Sequence, residues 1–199
     1  MTGQAVDPTQ HIWWLASRAS GIVALGLITA SVMLGLAMAN KLIRGRNVAG
    51  LHEHLSLAGM VAIAVHGVTL LGDPWLHPGL SGISVPFTMS YRTAFTGLGI
   101  VGGYLSAALG LSFYIRRRIG ARLWRKLHRF TVVAYVLALV HTIGAGTDAS
   151  TVWLRTFMVA TAVPIGVMFV ARMIPRRKPR KAPARPAVRA TNEPARELA

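Results

Sequence analysis

Four histidines lie inside long apolar runs, His52 and His66 in one and His128 and His141 in another. An imidazole is costly in hydrocarbon, so a pair on each of two helices implies work for the rings. Three chemistries are open to them: axial ligation of a metal held in a macrocycle, convergence on a zinc ion, or carriage of protons. The step from His52 to His66 rises about 21 Å along an ideal helix and falls about 40° short of four turns, so both rings share one face. The step from His128 to His141 rises about 19.5 Å but leaves the rings roughly 140° apart. That pair requires a local distortion such as a π-bulge, or rings that approach from different sides. The matching rises still set two histidine pairs at two similar depths. Zinc fits poorly, because rings this far apart on a helix cannot converge on one tetrahedral ion. A proton relay usually recruits intramembrane carboxylates, and none lies mid-span. Iron with imidazole on both axial sides is six-coordinate, which favours outer-sphere electron transfer over oxygen binding. Packing or interfacial histidines are the plain alternative, against which four matched positions weigh. His54 is about 200° around the helix from His52 and is expected at headgroup level or beside Glu53.

The elements that must position these rings are membrane helices. Of 199 residues 53% are hydrophobic, and the mean hydropathy is +0.48. Several runs reach the roughly 20 residues that span a bilayer core. Five spans are expected, at about Ile12–Ala39, Leu51–Leu71, Arg92–Ile115, Leu123–Ile143 and Thr151–Met173, giving an all-α integral membrane helical bundle. The expected organisation is a short external segment over 1–11, a bundle over 12–173 and a basic disordered tail over 174–199. The segment MTGQAVDPTQH has no lysine or arginine to make a signal-peptide n-region, so the first span is read as a retained helix. The chain has no cysteine, which excludes disulfides, thiolate metal sites, iron–sulfur clusters and covalent haem attachment.

Charge orients the bundle. Of the 22 lysines and arginines, 19 fall after the first, third and fifth spans. By the positive-inside rule the amino terminus is outside and the carboxyl terminus inside. His52 and His128 then lie near the inner face, and His66 and His141 near the outer one. The formal charge of +16 is placed for anionic lipid headgroups rather than nucleic acid. The tail PRRKPRKAPARPAVRATNEPARELA is either a topology anchor on lipid or a docking strip for an acidic soluble partner.

Arg18, Arg92 and Arg155 are the basic residues on the outer side. Arg18, the deepest, is a candidate for cofactor carboxylates, since a guanidinium fork suits them. Pairing of these arginines with Asp7, Asp73 or Asp148 is the competing assignment. Arg125 and Arg129 flank His128 at the inner face. Trp13, Trp14, Trp75 and Trp153 suggest an outer aromatic belt, with Trp124 inside. His11 and His77 fall in external segments. GLGIVG at 97–102 spells a dinucleotide fingerprint but sits inside an apolar span, without the strand and downstream acid such a site needs, and is expected to serve close packing.

HEHLSLAGMVAIAVHG resembles the H-x-x-L-G-x(9)-H helix of the ferric reductase-like transmembrane domain, and LWRKLHRFTVVAYVLALVH resembles its W-x-x-L-H-R-x(11)-H partner. The resemblance covers most of Ile12–Met173, including WWLASRASGIVALGLITASVMLGL. Ser56 stands where that family has glycine. The family includes membrane ferric reductases, NADPH oxidases and the haem-binding membrane subunit of a bacterial methionine-sulfoxide reductase system. The resemblance implies two b-type haems, His52 with His128 and His66 with His141. It implies a multi-pass cytochrome of the cell membrane, in a bacterium the plasma membrane. This electron-transfer subunit of an oxidoreductase would have no flavin or nicotinamide domain of its own. Its donor would be a flavoprotein or quinol, and its external acceptor ferric iron or an exported oxidoreductase. A non-redox haem sensor or haem-handling protein, and a proton-carrying transporter, are the alternatives.

Overall fold

The computed structural model describes residues 9–174. These form helices and turns, and five helical stretches are long and apolar enough to cross a membrane. The chain is an all-α multi-pass bundle, as its hydropathy requires. Most of the 1–11 segment, with Asp7, and all but the first residue of the expected 174–199 tail lie outside the described residues.

Helix α1 covers Thr9–Ala39. Helix α2 covers Arg46–Thr69 and tightens into a 3₁₀ turn at Leu70–Gly72. A short α3, Gly79–Ser84, precedes α4, Thr93–Leu111. A short α5, Arg116–Ile119, leads to α6, Ala121–Leu127, which passes through a 3₁₀ turn at His128–Phe130 into α7, Thr131–Ala145. Helix α8 covers Val152–Met173.

Two boundaries differ from expectation by four residues or more. Helix α2 begins at Arg46 rather than Leu51, so it enters through a basic, interfacial turn. Helix α4 stops at Leu111 rather than Ile115, because the next amides bond three residues back, Phe113 to Gly110 and Tyr114 to Leu111. The Arg116 guanidinium then folds over the Phe113 ring at 3.7 Å.

Helices α1 and α2 form one close pair, α4 and α7 another, and α8 packs on α1. Small residues permit the close approaches: Gly59 lies against Ile28 in the first pair, and Gly102 against Leu137 in the second. Leu25, Val32 and Leu36 of α1, Tyr135 of α7, and Leu154, Met158 and Ile165 of α8 make the buried core. The opposite side of α8 exposes Val159, Val163, Val167 and Val170. Their spacing of three and four residues draws one stripe along the helix, the face that lipid would cover. Two hairpin-like pairs joined through α1 leave α2 and α7 facing each other across open space, and the histidines project there.

Candidate functional site

The four rings meet in two pairs across that space. His52 and His128 lie with ring centroids 6.2 Å apart and planes at 89°. His66 and His141 lie 6.1 Å apart at 72°. The expected distortion of the second histidine helix is present but of the opposite sense to a π-bulge. His128 opens the 3₁₀ turn. At about 120° rather than 100° per residue, a three-residue 3₁₀ turn adds about 60° of rotation. This brings the rings of His128 and His141 nearer one face.

Each α2 ring is held by α1. Nδ1 of His66 bonds the Ser17 carbonyl at 2.8 Å, with the Ser17 hydroxyl 3.1 Å away. Nδ1 of His52 bonds the Ser31 carbonyl at 2.9 Å, with the Ser31 hydroxyl 3.1 Å away. His141 bonds the Phe95 carbonyl of α4 through Nδ1 at 3.0 Å. A carbonyl accepts only from a protonated nitrogen, so all three rings carry hydrogen on Nδ1 and keep the Nε2 lone pair free. A glycine four residues beyond each carbonyl makes room for the ring. A Cβ on Gly21 would lie 3.0 Å from His66 Nδ1, one on Gly35 would lie 3.0 Å from His52 Cε1, and one on Gly99 would collide with His141.

His128 is different. Its Nδ1 is buried and faces the Leu109 carbonyl without closing an ordinary hydrogen bond. The ring stacks instead on Trp124, centroids 4.9 Å apart and planes 25° from parallel. Trp124 is half-buried, and its indole turns to the histidine, a role beyond that of an inner belt residue.

Each pair borders a cavity. Taking the basic end as inner, the outer cavity of about 540 Å³ is lined by His66 and His141, and the inner one of about 580 Å³ by His52 and His128. Both volumes fall in the range of about 300–1,000 Å³ typical of cofactor sites. Ile28, Met60 and Ser106 line both cavities and form the partition between them. Arg122, Arg125, Lys126, Arg129 and Arg172 border the inner cavity. At the outer cavity the Arg18 guanidinium forks onto the Asp148 carboxylate through Nε and Nη2, while stacking over Trp14 at 5.0 Å. Asp148 is therefore the acidic partner among those considered from sequence.

Other candidates sit apart from the pairs. His54 is exposed and its Nδ1 bonds the Gly50 carbonyl in its own helix. Arg92 leans on Tyr91, and Arg155 donates to the Ala149 carbonyl. Of the GLGIVG glycines, Gly97 packs on Phe87, Gly99 on His141 and Gly102 on α7.

Sequence reasoning missed Ser17, Gly21, Ser31 and Gly35, and gave Trp124 only the place of an inner belt and motif residue. A signal was present: S-x(3)-G occurs at 17–21 and again at 31–35, with the same 14-residue period as His52 and His66. Ser56, the departure from the family pattern, has a visible task. Its hydroxyl donates to the His52 carbonyl at 2.8 Å and lies 2.7 Å from the Ser31 hydroxyl, joining the two helices beside the ring.

With imidazole–metal bonds of about 2 Å, the two rings of each pair, at centroid separations of 6.2 and 6.1 Å, are near enough that both could contribute a nitrogen to one metal ion between them. Among the described residues no group of three or more histidine, aspartate or glutamate side chains can hold a metal ion. No family model, curated protein or solved structure matches this chain.

Proposed function

We propose that this protein is a membrane b-type dihaem cytochrome that carries electrons across the bilayer as a subunit of an oxidoreductase. The observation that carries the reading is the pair of cross-helix imidazole contacts at 6.2 and 6.1 Å, each beside its own cavity. His52 and His128 would hold the inner haem, and His66 and His141 the outer. Bound there, an iron porphyrin would supply one-electron redox chemistry.

The chain's own part is to bind, orient and seal. The carbonyls of Ser17, Ser31 and Phe95 set the tautomer and plane of three rings, which raises ligand basicity and limits rotation. Apolar side chains line much of both cavities, and the partition of Ile28, Met60 and Ser106 keeps the two close without merging them. Basic side chains at the inner cavity suit the carboxylates of a porphyrin edge, or an acidic region of a soluble donor. At the outer cavity Arg18 is the corresponding cation, shared with Asp148. Donor and acceptor are assigned by class: a cytoplasmic flavoprotein or membrane quinol on one side, and ferric iron or an exported redox enzyme on the other. The resemblance to the ferric reductase-like domain agrees with this assignment.

Haem stoichiometry tests it. Full-length protein purified in detergent should contain about two non-covalent haems, His66→Ala and His128→Ala should each lose part of that content, and the double variant should lose more. Haem content unchanged in both single variants would overturn the ligand assignment. A single haem that binds carbon monoxide in the unaltered protein would point to a sensor instead.

A further inference from the structure

The two ligand pairs are not built alike. Three histidines dock by one rule, Nδ1 on the carbonyl of residue i and the ring over a glycine at i+4: Ser17 with Gly21, Ser31 with Gly35, and Phe95 with Gly99. His128 faces Leu109, and four residues on stands Phe113. Moreover, the Leu109 carbonyl is already engaged. Helix α4 ends at Leu111, and the amides that follow bond the carbonyls of Ala108, Gly110 and Leu111 but not that of Leu109. The Ser112 hydroxyl donates to Leu109 O at 2.6 Å, and the Trp124 Nε1–H donates to Ser112 Oγ at 3.1 Å. The same tryptophan that occupies this relay lies one helical turn before His128 and stacks on it.

We infer that Trp124 is the positioning residue for His128, adding an aromatic stack where the contact with the Leu109 carbonyl is looser than the backbone bonds that hold the other three rings. The inner site, His52 with His128, is consequently the one whose axial ligand exchanges. This rests on the haem reading above. A stack restrains tilt but leaves the ring free to slide and turn in its plane, whereas a linear hydrogen bond fixes direction as well. His128 is thus the ligand that departs first when a competing small molecule is offered, and the outer pair stays closed.

Carbon monoxide binding to dithionite-reduced, full-length protein reads this directly, with low-spin ferric signals in electron paramagnetic resonance as the second readout. The part of the inner haem that His128→Ala retains supplies the reference spectrum for a vacated inner position. Trp124→Leu should raise the carbon monoxide-reactive fraction roughly three- to tenfold, the weight of one aromatic stack. The new band should match the reference, and the low-spin signal of the outer pair should persist. Trp124→Phe, which keeps the stack and loses only the Nε1 donor, should stay near the unaltered protein. Two haems with Trp124→Leu indistinguishable from the unaltered protein would overturn this inference alone. Equal loss of inner haem in the leucine and phenylalanine variants would also overturn it, since the stack would then not be the cause. Unaltered protein with no haem would overturn it together with the reading on which it rests.

Discussion

A neutral imidazole has one donor and one acceptor nitrogen, so committing Nδ1–H to a carbonyl decides which nitrogen can ligate. Here the committed acceptors are backbone atoms, which mutation of a side chain does not remove. Ser17→Ala and Ser31→Ala should therefore cost little, about 1 kcal/mol or less, because the carbonyl bonds at 2.8 and 2.9 Å survive. The glycines are the sensitive positions. Gly21→Val pushes into the His66 ring and Gly35→Val into the His52 ring, each from a rigid helix backbone. If the proposed function holds, Gly21→Val should deplete the outer haem and Gly35→Val the inner, with the other site retained. Haem content combined with low-spin resonance signals separates the two. Loss of both haems from each variant would mean that the glycines serve helix packing as a whole rather than individual rings.

The five helices were legible because bilayer-length apolar runs and clustered basic loops are properties of composition, and composition survives without structure. The face shared by His52 and His66 was legible for the same reason, being a matter of 3.6-residue arithmetic. The turn at His128–Phe130 was not. WRKLHRF has no apolar period from which a change of pitch can be read, and the sign of the distortion comes from packing against α4. The docking of His66 and His52 on α1 escaped notice because backbone acceptors leave no residue signature except the Ser and Gly that accompany them. A further tie lies where α2 enters the bundle: the Tyr114 hydroxyl donates to Glu53 Oε1 at 2.9 Å, joining α2 to the turn after α4. The bond to Glu53, with smaller effects of burial and the carboxylate's charge, holds the Tyr114 phenol above its ordinary value. A raised acid favours its neutral form in the folded protein. Its contribution is thus complete below the phenol's unfolded value and is lost as pH climbs through the folded one. The difference in thermal midpoint between the unaltered protein and Tyr114→Phe should accordingly be constant near neutrality and shrink above about pH 10. A difference that grew with alkalinity would show that the tie is not the hydrogen bond.

For the whole molecule, function depends on which end of the bundle faces which compartment. The two cavities are stacked, not side by side, sharing only a thin wall of Ile28, Met60 and Ser106. Under the proposed function, a donor at one end and an acceptor at the other would each meet a separate cavity. The loops at the inner end carry the basic residues, including those that border the inner cavity, while the outer end holds the Arg18–Asp148 pair. Under the positive-inside rule the turn at Leu42 is cytoplasmic and α3 is external. The sequence itself makes this measurable: it contains no cysteine, so each introduced one is unique. Leu42 and Leu80 are both well exposed, at 67% and 73%, and belong to opposite ends. In intact cells a membrane-impermeant maleimide should label Leu80→Cys and spare Leu42→Cys, and permeabilisation should make both reactive. Labelling of Leu42→Cys alone in intact cells would invert the bundle. It would place the His52/His128 pair at the external face and require the donor and acceptor classes to exchange sides.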